Sequence, residues 1–577
     1  MQREIRVRKP ELNSRGDELP AELHPVLRRV YLNRGVTSAD ELSFSLAKLH
    51  SYHSLKGIDA AAALLYEAIE ADQHILIVGD FDADGATSTA LAVTALGKLG
   101  ALHVSYLVPD RFRYGYGLTP EIVAVALARK PALIVTVDNG ISSVAGVAAA
   151  KAAGVKVLVT DHHLPGRQLP DADAIVNPNQ SGCAFPSKML AGVGVIFYVM
   201  AALRAYMRKK KLALAEAFSI AELLDLVALG TVADVVPLDH NNRILVQQGL
   251  QRIRAGHCRA GIKALAQVAG RDLYRLSSAD LGFAIGPRLN AAGRLQDMSE
   301  GIDCLLETDA EAAMHMAEDL DRINHERRDI QAQMQDEALA IIANLQLDGG
   351  NIPHAVCVYE ASWHEGVVGL IASKVKERYH RPAIAFAPSG EAGVLKGSAR
   401  SIPGLHIRDA LDLVATRNPG LISKFGGHAM AAGLSLPEDK LEGFKAALNA
   451  VLIEVLDPVC LQAVIESDGE LPADALTMNL AESVAAAGPW GQGFPEPIFH
   501  GDFKVLEQRV LKDKHLKLRL SEEDGSAEMD AIAFNAAEYC QLPVPDSLSI
   551  AYRLDINEFR GRRNLQLMIE DIRPVLR

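Results

Sequence analysis

The sequence predicts an α/β protein built from successive lobes. A parallel, doubly wound sheet comes first, then a long connecting helix, a second and smaller α/β lobe, and a carboxy-terminal β-barrel. Three observations carry this. Between His74 and Pro178 short apolar segments alternate with alanine-rich helical ones, the pattern of parallel strands joined by crossover helices. Between Gly301 and Gly349 there is neither glycine nor proline, and Met316, Leu320, Ile323, Ile330, Met334, Ile341 and Leu345 recur at helical spacing. From about Val464 the pattern turns to short alternating strands.

Residues 1–50 are mixed and charged, with Pro10, Pro20 and Pro25; 26–32 and 39–49 read as short helices without evident chemistry. Residues 60–71 form a helix that feeds the first strand. Strands are expected at 75–78, 103–108, 133–137, 155–160 and 174–176, with helices at 120–128 and 144–153. The first lobe is assigned to 51–302, the connecting helix to 303–349, the second lobe to 350–457 and the barrel region to 458–577. Barrel strands are expected at 503–510, 515–520, 527–534, 548–556 and 565–575, after a turn-rich entry at 488–495. Five such strands fit an OB-like barrel.

At 577 residues the chain exceeds a single core, in keeping with several domains. Six cysteines are scattered with no CxxC pair, against a zinc site or disulfide framework and in keeping with a reducing compartment. No apolar run reaches a membrane span, and Met1-Gln2-Arg3-Glu4 begins no signal-peptide core, so the expected location is the cytoplasm. A net charge of -13 speaks mildly against a nucleic-acid binder, although a basic channel can sit inside an acidic protein.

In doubly wound sheets the ligand site lies outside the carboxyl ends of the strands. Here the first strand runs into Asp80, Asp82 and Asp84, the 133–137 strand into Asp138-Asn139-Gly140, and the 155–160 strand into Asp161-His162-His163. Clustered carboxylates repel one another and are commonly held together by a hard divalent cation. Asp234 is a lone acid in the nearly apolar stretch 230–238, so it calls for a cation or for strong donors such as a helix N-terminus. Asp80, Asp82, Asp84, Asp138 and Asp234, with at least one imidazole, favour Mg²⁺ or Mn²⁺ over zinc. Two such ions about 3.5–4 Å apart would clamp a phosphate for in-line attack. In the second lobe, clusters at 363–369, 396–401 and 425–433 combine glycines with Ser, Arg and His, which suit phosphate oxygens.

The segments GDFDADG (79–85), DNG (138–140), DHH (161–163) and ADVVPL (233–238) resemble, in order and spacing, the four motifs of the DHH phosphoesterase superfamily. GGHAMAAG (426–433) resembles the signature of the DHHA1 domain that accompanies DHH lobes. Over the whole chain the similarity is to the bacterial single-strand-specific exonucleases of that superfamily. The resemblance implies two divalent ions, Mg²⁺ or Mn²⁺, with Asp82, Asp84, Asp138, His162 and Asp234 at metal-ligand positions and Asp138 bridging. Asp80 falls in or next to that shell, and His163 either touches the scissile phosphate or acts as an acid. Val78 stands where related pyrophosphatases have a histidine ligand.

It further implies 5′-to-3′ degradation of single-stranded DNA to mononucleotides in repair and recombination. Arg288, Asn290 and Arg294 would lie near the 5′ end, and Arg111, Tyr114 and Tyr116 would stack on or pin a nucleotide. Ser398, Arg400, Ser401, Gly427 and His428 belong to the second lobe's phosphate-binding clusters. Lys512 and Lys517, with Lys514, His515, Arg519, Arg560, Arg562 and Arg563, form a basic face on the barrel that suits a single strand. Single-strand-binding protein and a RecQ-type helicase are the partners implied, with no membrane and a monomeric chain. Two other readings stay open on the motifs alone: a small-substrate phosphoesterase, which needs no barrel, and a non-catalytic scaffold, in which loss of motif acids would be expected.

Overall fold

The computed structural model describes residues 3–10, 17–110, 114, 116–344, 352–522, 525, 528–538, 540, 542–559 and 561–575. Arg111 and Arg560 lie outside the described residues. The amino-terminal strand β1 (Glu4–Val7) leaves its own neighbourhood and pairs in parallel with the distant segment Val464–Ser467. The helix Pro25–Leu32 forms as expected. Residues 39–49 do not make one helix: they form two 3₁₀ turns, Ala39–Leu42 and Leu46–Lys48, with extended Ser43 and Ser45 between them. Ser45 caps the second turn through its hydroxyl, the competition with helical bonding for which serine is known.

The first lobe holds β2 (Ile75–Gly79), β3 (Val104–Leu107), β4 (Leu133–Val137), β5 (Lys156–Thr160) and β6 (Ala174–Val176). All neighbours are parallel, in the order β3-β2-β4-β5-β6. β2 and β4 are buried throughout because both faces are covered, as parallel sheets require. Ile75, Ile77, Val135 and Val137 pack with helices Ala83–Lys98 and Gly192–Lys209. Leu76, Val78, Ile134 and Val157 face helices Pro120–Leu127 and Val144–Ala152. The strand order reverses between β2 and β4, β3 being added on one side and β5 and β6 on the other, so the crevice at their carboxyl ends is the switch point where such folds bind ligands.

The expected connecting helix is interrupted at its start. Helix Ser299–Leu306 crosses the expected boundary at 302, Glu307 is extended, and the long helix begins only at Ala310. Asp309 accepts the Glu311 and Ala312 backbone N–H groups and thereby caps the new helix. Helix Ala310–Asn344 has 35 residues, about 50 Å of rod. Ala313, Ala317 and Leu320 belong to the first-lobe core, while Met334, Ala338 and Ile342 belong to a core of the second lobe. One element is therefore fixed in two cores.

The second lobe contains β7 (Val356–Tyr359), β8 (Ala383–Pro388), β9 (Val394–Arg400), β10 (Lys424–Gly427) and β11 (Ala431–Pro437), in the order β10-β11-β9-β8-β7. After β12 (Val464–Ser467) come β13 (Phe499–Leu511), β14 (His515–Ser521), β15 (Glu528–Ala533), β16 (Ser547–Phe559) and β17 (Arg562–Pro574). They close into a barrel in the order β13-β14-β15-β17-β16, which leaves no free sheet edge.

The barrel region is locked to the amino-terminal helix by a buried ion pair. Arg34 donates to both Asp468 oxygens at 2.8 and 2.9 Å, with the two side chains 1% and 0% exposed. Arg34 also lies 5.4 Å from the Trp490 ring centre, and Trp490 stacks on Phe494 at 5.1 Å. Arg34→Ala would leave Asp468 buried and without its cation, a loss of about 3–5 kcal/mol. The expected outcome is a lower melting temperature together with earlier release of the carboxy-terminal region in limited proteolysis; an unchanged digestion pattern would contradict the lock.

Candidate active site

The crevice is built one strand end at a time. After β2 the chain turns at Asp80–Asp82 into helix Ala83–Lys98. Asp82 is its N-cap: one carboxylate oxygen accepts the N–H groups of Asp84 (2.9 Å) and Gly85 (3.0 Å). Asp84 is buried in the first turn, and its two oxygens accept the N–H groups of Gly192 (2.6 Å) and Val193 (2.9 Å). Those N–H groups open helix Gly192–Lys209, whose positive end suits a carboxylate.

Asp138 follows β4 with φ of +61°, a left-handed conformation uncommon outside glycine and concentrated at functional sites. Asn139 secures it, donating to the Val78 and Val137 carbonyls at 3.1 and 2.9 Å. A Cβ on Gly192 would stand 2.6 Å from the Asp138 carboxylate, so only glycine fits there. After β5, Asp161 acts as a clasp. It accepts from the His162 and His163 backbones at 2.7 and 3.0 Å and from Ile141 at 2.9 Å, and it pairs with His163 Nδ1 at 2.7 Å. Asp234 is the C-cap of helix Leu224–Ala233, not at a helix N-terminus. The dipole end there is negative, so the helix gives Asp234 no compensation.

These groups converge. His162 Nε2 is 3.2 Å from Asp138 Oδ1 and 3.4 Å from Asp234 Oδ2. Donor atoms lie within 4.8 Å of one another in three overlapping sets: Asp138, His162 and His163; Asp84, His162 and Asp234; Asp80, Asp82 and Asp138. Burial and then mutual repulsion raise Asp138 and Asp234 well above the carboxylate range, and burial with the Asp82 charge lifts Asp84 to about 7. Burial, with the neighbouring His163 charge, pushes His162 down to about 3, so its imidazole is neutral. His162 also bonds the Leu190 backbone while its Nε2, Asp138 Oδ1 and Asp234 Oδ2 are buried without a hydrogen-bond partner. A neutral ring with one nitrogen tied back and the other aimed at orphaned carboxylate oxygens has the form of a metal ligand. The donor set is oxygen-rich and fits hard divalent cations, which would reverse the repulsion. His163 differs from His162: burial opposes its charge, but the Asp161 hydrogen bond and surrounding carboxylates raise it to about 9.

The second lobe closes over this cluster. The His428 ring stacks on His163 with centres 5.7 Å apart. Arg294 reaches the Gly366 carbonyl at 3.4 Å. Arg400 donates to Ser398 Oγ at 2.8 Å and lies against Gly369, where a Cβ would stand 2.8 Å from its guanidinium. Gly427 has φ of +141°, and a Cβ there would stand 2.5 Å from the Ala431 carbonyl oxygen.

The remaining expected contacts lie on several elements, and some already have partners within the chain. Ser401 is buried and donates to the Leu405 carbonyl at 2.8 Å, so it presents no surface hydroxyl. Asn290 Oδ1 accepts from Ala83 N at 2.8 Å, holding the first acidic turn. Arg288 pairs with Asp321 of the long helix at 2.7 Å. Tyr114 is half-buried against the first-lobe core. Lys512, with φ of +50°, and Lys517, 3.4 Å from Asp530, stand on the hairpin between β13 and β14 of the barrel. The sequence carries no separate role for Asp161 or Gly192 and marks Tyr116 only as a residue to stack on or pin a nucleotide. The Tyr116 hydroxyl lies 3.2 Å from the Asp138 carbonyl and 3.1 Å from His163 Nδ1. Asp161 was legible as the first letter of its motif, whereas Gly192 carried no signal in the sequence.

Family models match three parts of the chain: DHH family, N-terminal domain, at 74–231; DHHA1 domain at 351–454; and RecJ OB domain at 467–571. The single-stranded-DNA-specific exonuclease RecJ of Salmonella typhimurium is 54% identical over 582 residues, covering 100% of both chains, and that of Escherichia coli is 52% identical over 585 residues with the same coverage. A crystal structure of RecJ in complex with Mn²⁺ from Thermus thermophilus superposes with a TM-score of 0.80 at 31% identity, over 96% of this chain and 77% of that one. Its Mg²⁺ counterpart gives 0.75 at 29%, over 96% and 76%. With the acidic crevice, the closing lobe and the barrel in place, and with identity of this extent along the full chain, the protein belongs to the RecJ family of DHH exonucleases.

Proposed function

We propose that the chain is a metal-dependent exonuclease that degrades single-stranded DNA to mononucleotides from the 5′ end, in DNA repair and recombination. The observation that carries this reading is the buried, mutually repelling carboxylate cluster around Asp138 and His162, open to a second lobe rich in phosphate-compatible groups. Asp82, Asp84, Asp138, His162 and Asp234, with Asp80 alongside, would hold two Mg²⁺ or Mn²⁺ ions. When bound, such ions lower the pKa of water and stabilise charge on phosphorus.

The chain's own groups do the rest. Asp161 holds and orients the His163 ring through Nδ1, so the other ring nitrogen is placed to donate to the phosphate oxygens or the leaving group. Tyr116 and His428 fix that ring from two sides. Arg294 stands at the junction of the lobes and grips the 5′ phosphate, with Ser398, Arg400, Gly427 and His428 of the second lobe as further phosphate contacts and Tyr114 pinning the terminal nucleotide. Lys512 and Lys517 on the barrel steer the strand by charge. The barrel supports this substrate over a dinucleotide, which needs no extended track. The reading includes a cytoplasmic monomer that works with single-strand-binding protein and a RecQ-type helicase.

Asp138→Ala is expected to lower cleavage of end-labelled single-stranded DNA by about 10²–10³-fold or more, while binding of the strand persists, and chelation of the divalent ion should abolish cleavage by the intact protein. Substantial turnover by Asp138→Ala would remove the assignment. Arg294→Ala should reduce the preference for a 5′-phosphorylated over a 5′-hydroxyl strand by about 10- to 100-fold, the scale of one charged hydrogen bond; equal discrimination in the variant would count against its role. Gly192→Ala should weaken Mn²⁺ binding in calorimetry, since the added methyl meets the Asp138 carboxylate; an unchanged isotherm would show that the carboxylate has room to move.

A further inference from the structure

Helix Gly286–Leu295 lies along the crevice, with Arg294 near its carboxyl end facing the second lobe. At its other end a five-residue π turn, Leu281–Ile285, leads into it. Such turns are rare and concentrate at functional sites. The turn packs on the final residues of the helix that delivers Asp234. A Cβ on Gly282 would touch Val232, and one on Gly286 would stand 3.2 Å from the Ala233 Cβ. From this turn Phe283 projects with 86% of its surface exposed. Val235, directly after Asp234, is 62% exposed and has φ of +62°, a conformation a β-branched residue rarely adopts. One exposed phenylalanine is ordinary by itself. Here it stands on an irregular turn packed against the end of the helix that delivers Asp234, and the exposed, backbone-strained Val235 follows that same helix end.

The surroundings give this edge a direction. Leu238 N donates to the Gln492 carbonyl at 2.7 Å, and Ser278 Oγ donates to the Trp490 carbonyl at 2.6 Å. The segment leading into the barrel is therefore fastened to the same border of the first lobe that carries Val235 and Phe283. A single strand with its 5′ end toward Arg294 and its body on the barrel leaves the acidic cluster across this border. The border offers an aromatic face, and stacking of a base on an aromatic ring is tolerant of sequence.

We propose that Phe283 is a stacking platform for a base of the single strand, positioned between the acidic cluster and the barrel, with Val235 flanking it. This rests on the exonuclease reading of the same site and adds a positioning residue to it. Phe283 holds the strand and takes no part in bond breaking.

The test uses the full-length protein in EDTA, so that the strand stays intact, with 3′-labelled oligothymidylates of graded length and with 2-aminopurine placed at successive positions. For Phe283→Ala, affinity for long strands should fall by about 5- to 100-fold, with dinucleotide binding unchanged. The 2-aminopurine quenching seen at one internal position with the wild type should be lost. Phe283→Trp should retain both properties, and Phe283→Leu, which keeps apolar surface but no π face, should behave like the alanine variant. Equal affinity and equal quenching in Phe283→Ala would overturn the proposal. So would unchanged DNA affinity accompanied by a shift from dimer to monomer in sedimentation, which would assign the ring to a second copy of the chain. Failure of the wild type to bind single strands would strike the exonuclease reading itself, and that result is distinguishable from the others.

Discussion

Everything at the crevice depends on one electrostatic constraint, the confinement of Asp84, Asp138 and Asp234 in a buried space around a neutral His162. Taken alone the arrangement is unfavourable: desolvation and mutual repulsion both drive the carboxyls toward protonation. The fold maintains it by rigid means. Asp84 is held by two N–H groups at the head of helix Gly192–Lys209, Asp138 by a left-handed backbone tied to Asn139, and His162 by the Asp161 clasp. Holding like charges close in this way is what a site for hard divalent cations requires, because the ions then supply the missing attraction.

The same architecture explains the division of labour between adjacent histidines. His162 faces the carboxylates with a neutral ring, while His163, one residue on, turns to Asp161, whose hydrogen bond favours its charged form. A single clasp thus creates two different functional groups from identical side chains. His428 from the second lobe reaches the second of them, so the surroundings of His163 depend on how the lobes meet. The rod Ala310–Asn344, anchored in a core at each end, fixes that meeting, and the contact between Arg294 and Gly366 reinforces it from the crevice side.

Strands and their order of appearance were legible because each hydrophobic run in a parallel sheet is bounded by turns and buried on both faces. The segments 133–137 and 174–176 coincide with β4 and β6. Boundaries failed where a local side chain outcompeted the helix. Ser45 divided 39–49, and Asp309 restarted the connecting helix, choices made by capping bonds that periodicity does not register. The pairing of β1 with β12 across more than four hundred residues was likewise beyond any local pattern.

The sequence by itself determined which residue types could serve the chemistry, since acids and imidazoles at strand ends are placed by chain direction alone. It also determined the lobe plan, since period and composition shift visibly along the chain. Tertiary structure decided which of those residues share a space and which are spent elsewhere. Ser401 looked available but its hydroxyl is consumed by the Leu405 carbonyl, and Asn290 spends its carbonyl oxygen on the Ala83 backbone, whereas Gly192 looked ordinary and proves to be the only residue type that fits against Asp138. The physical reason is that burial, repulsion and steric fit are properties of pairs brought together across long sequence separations. A chain read residue by residue contains the partners but not their distances.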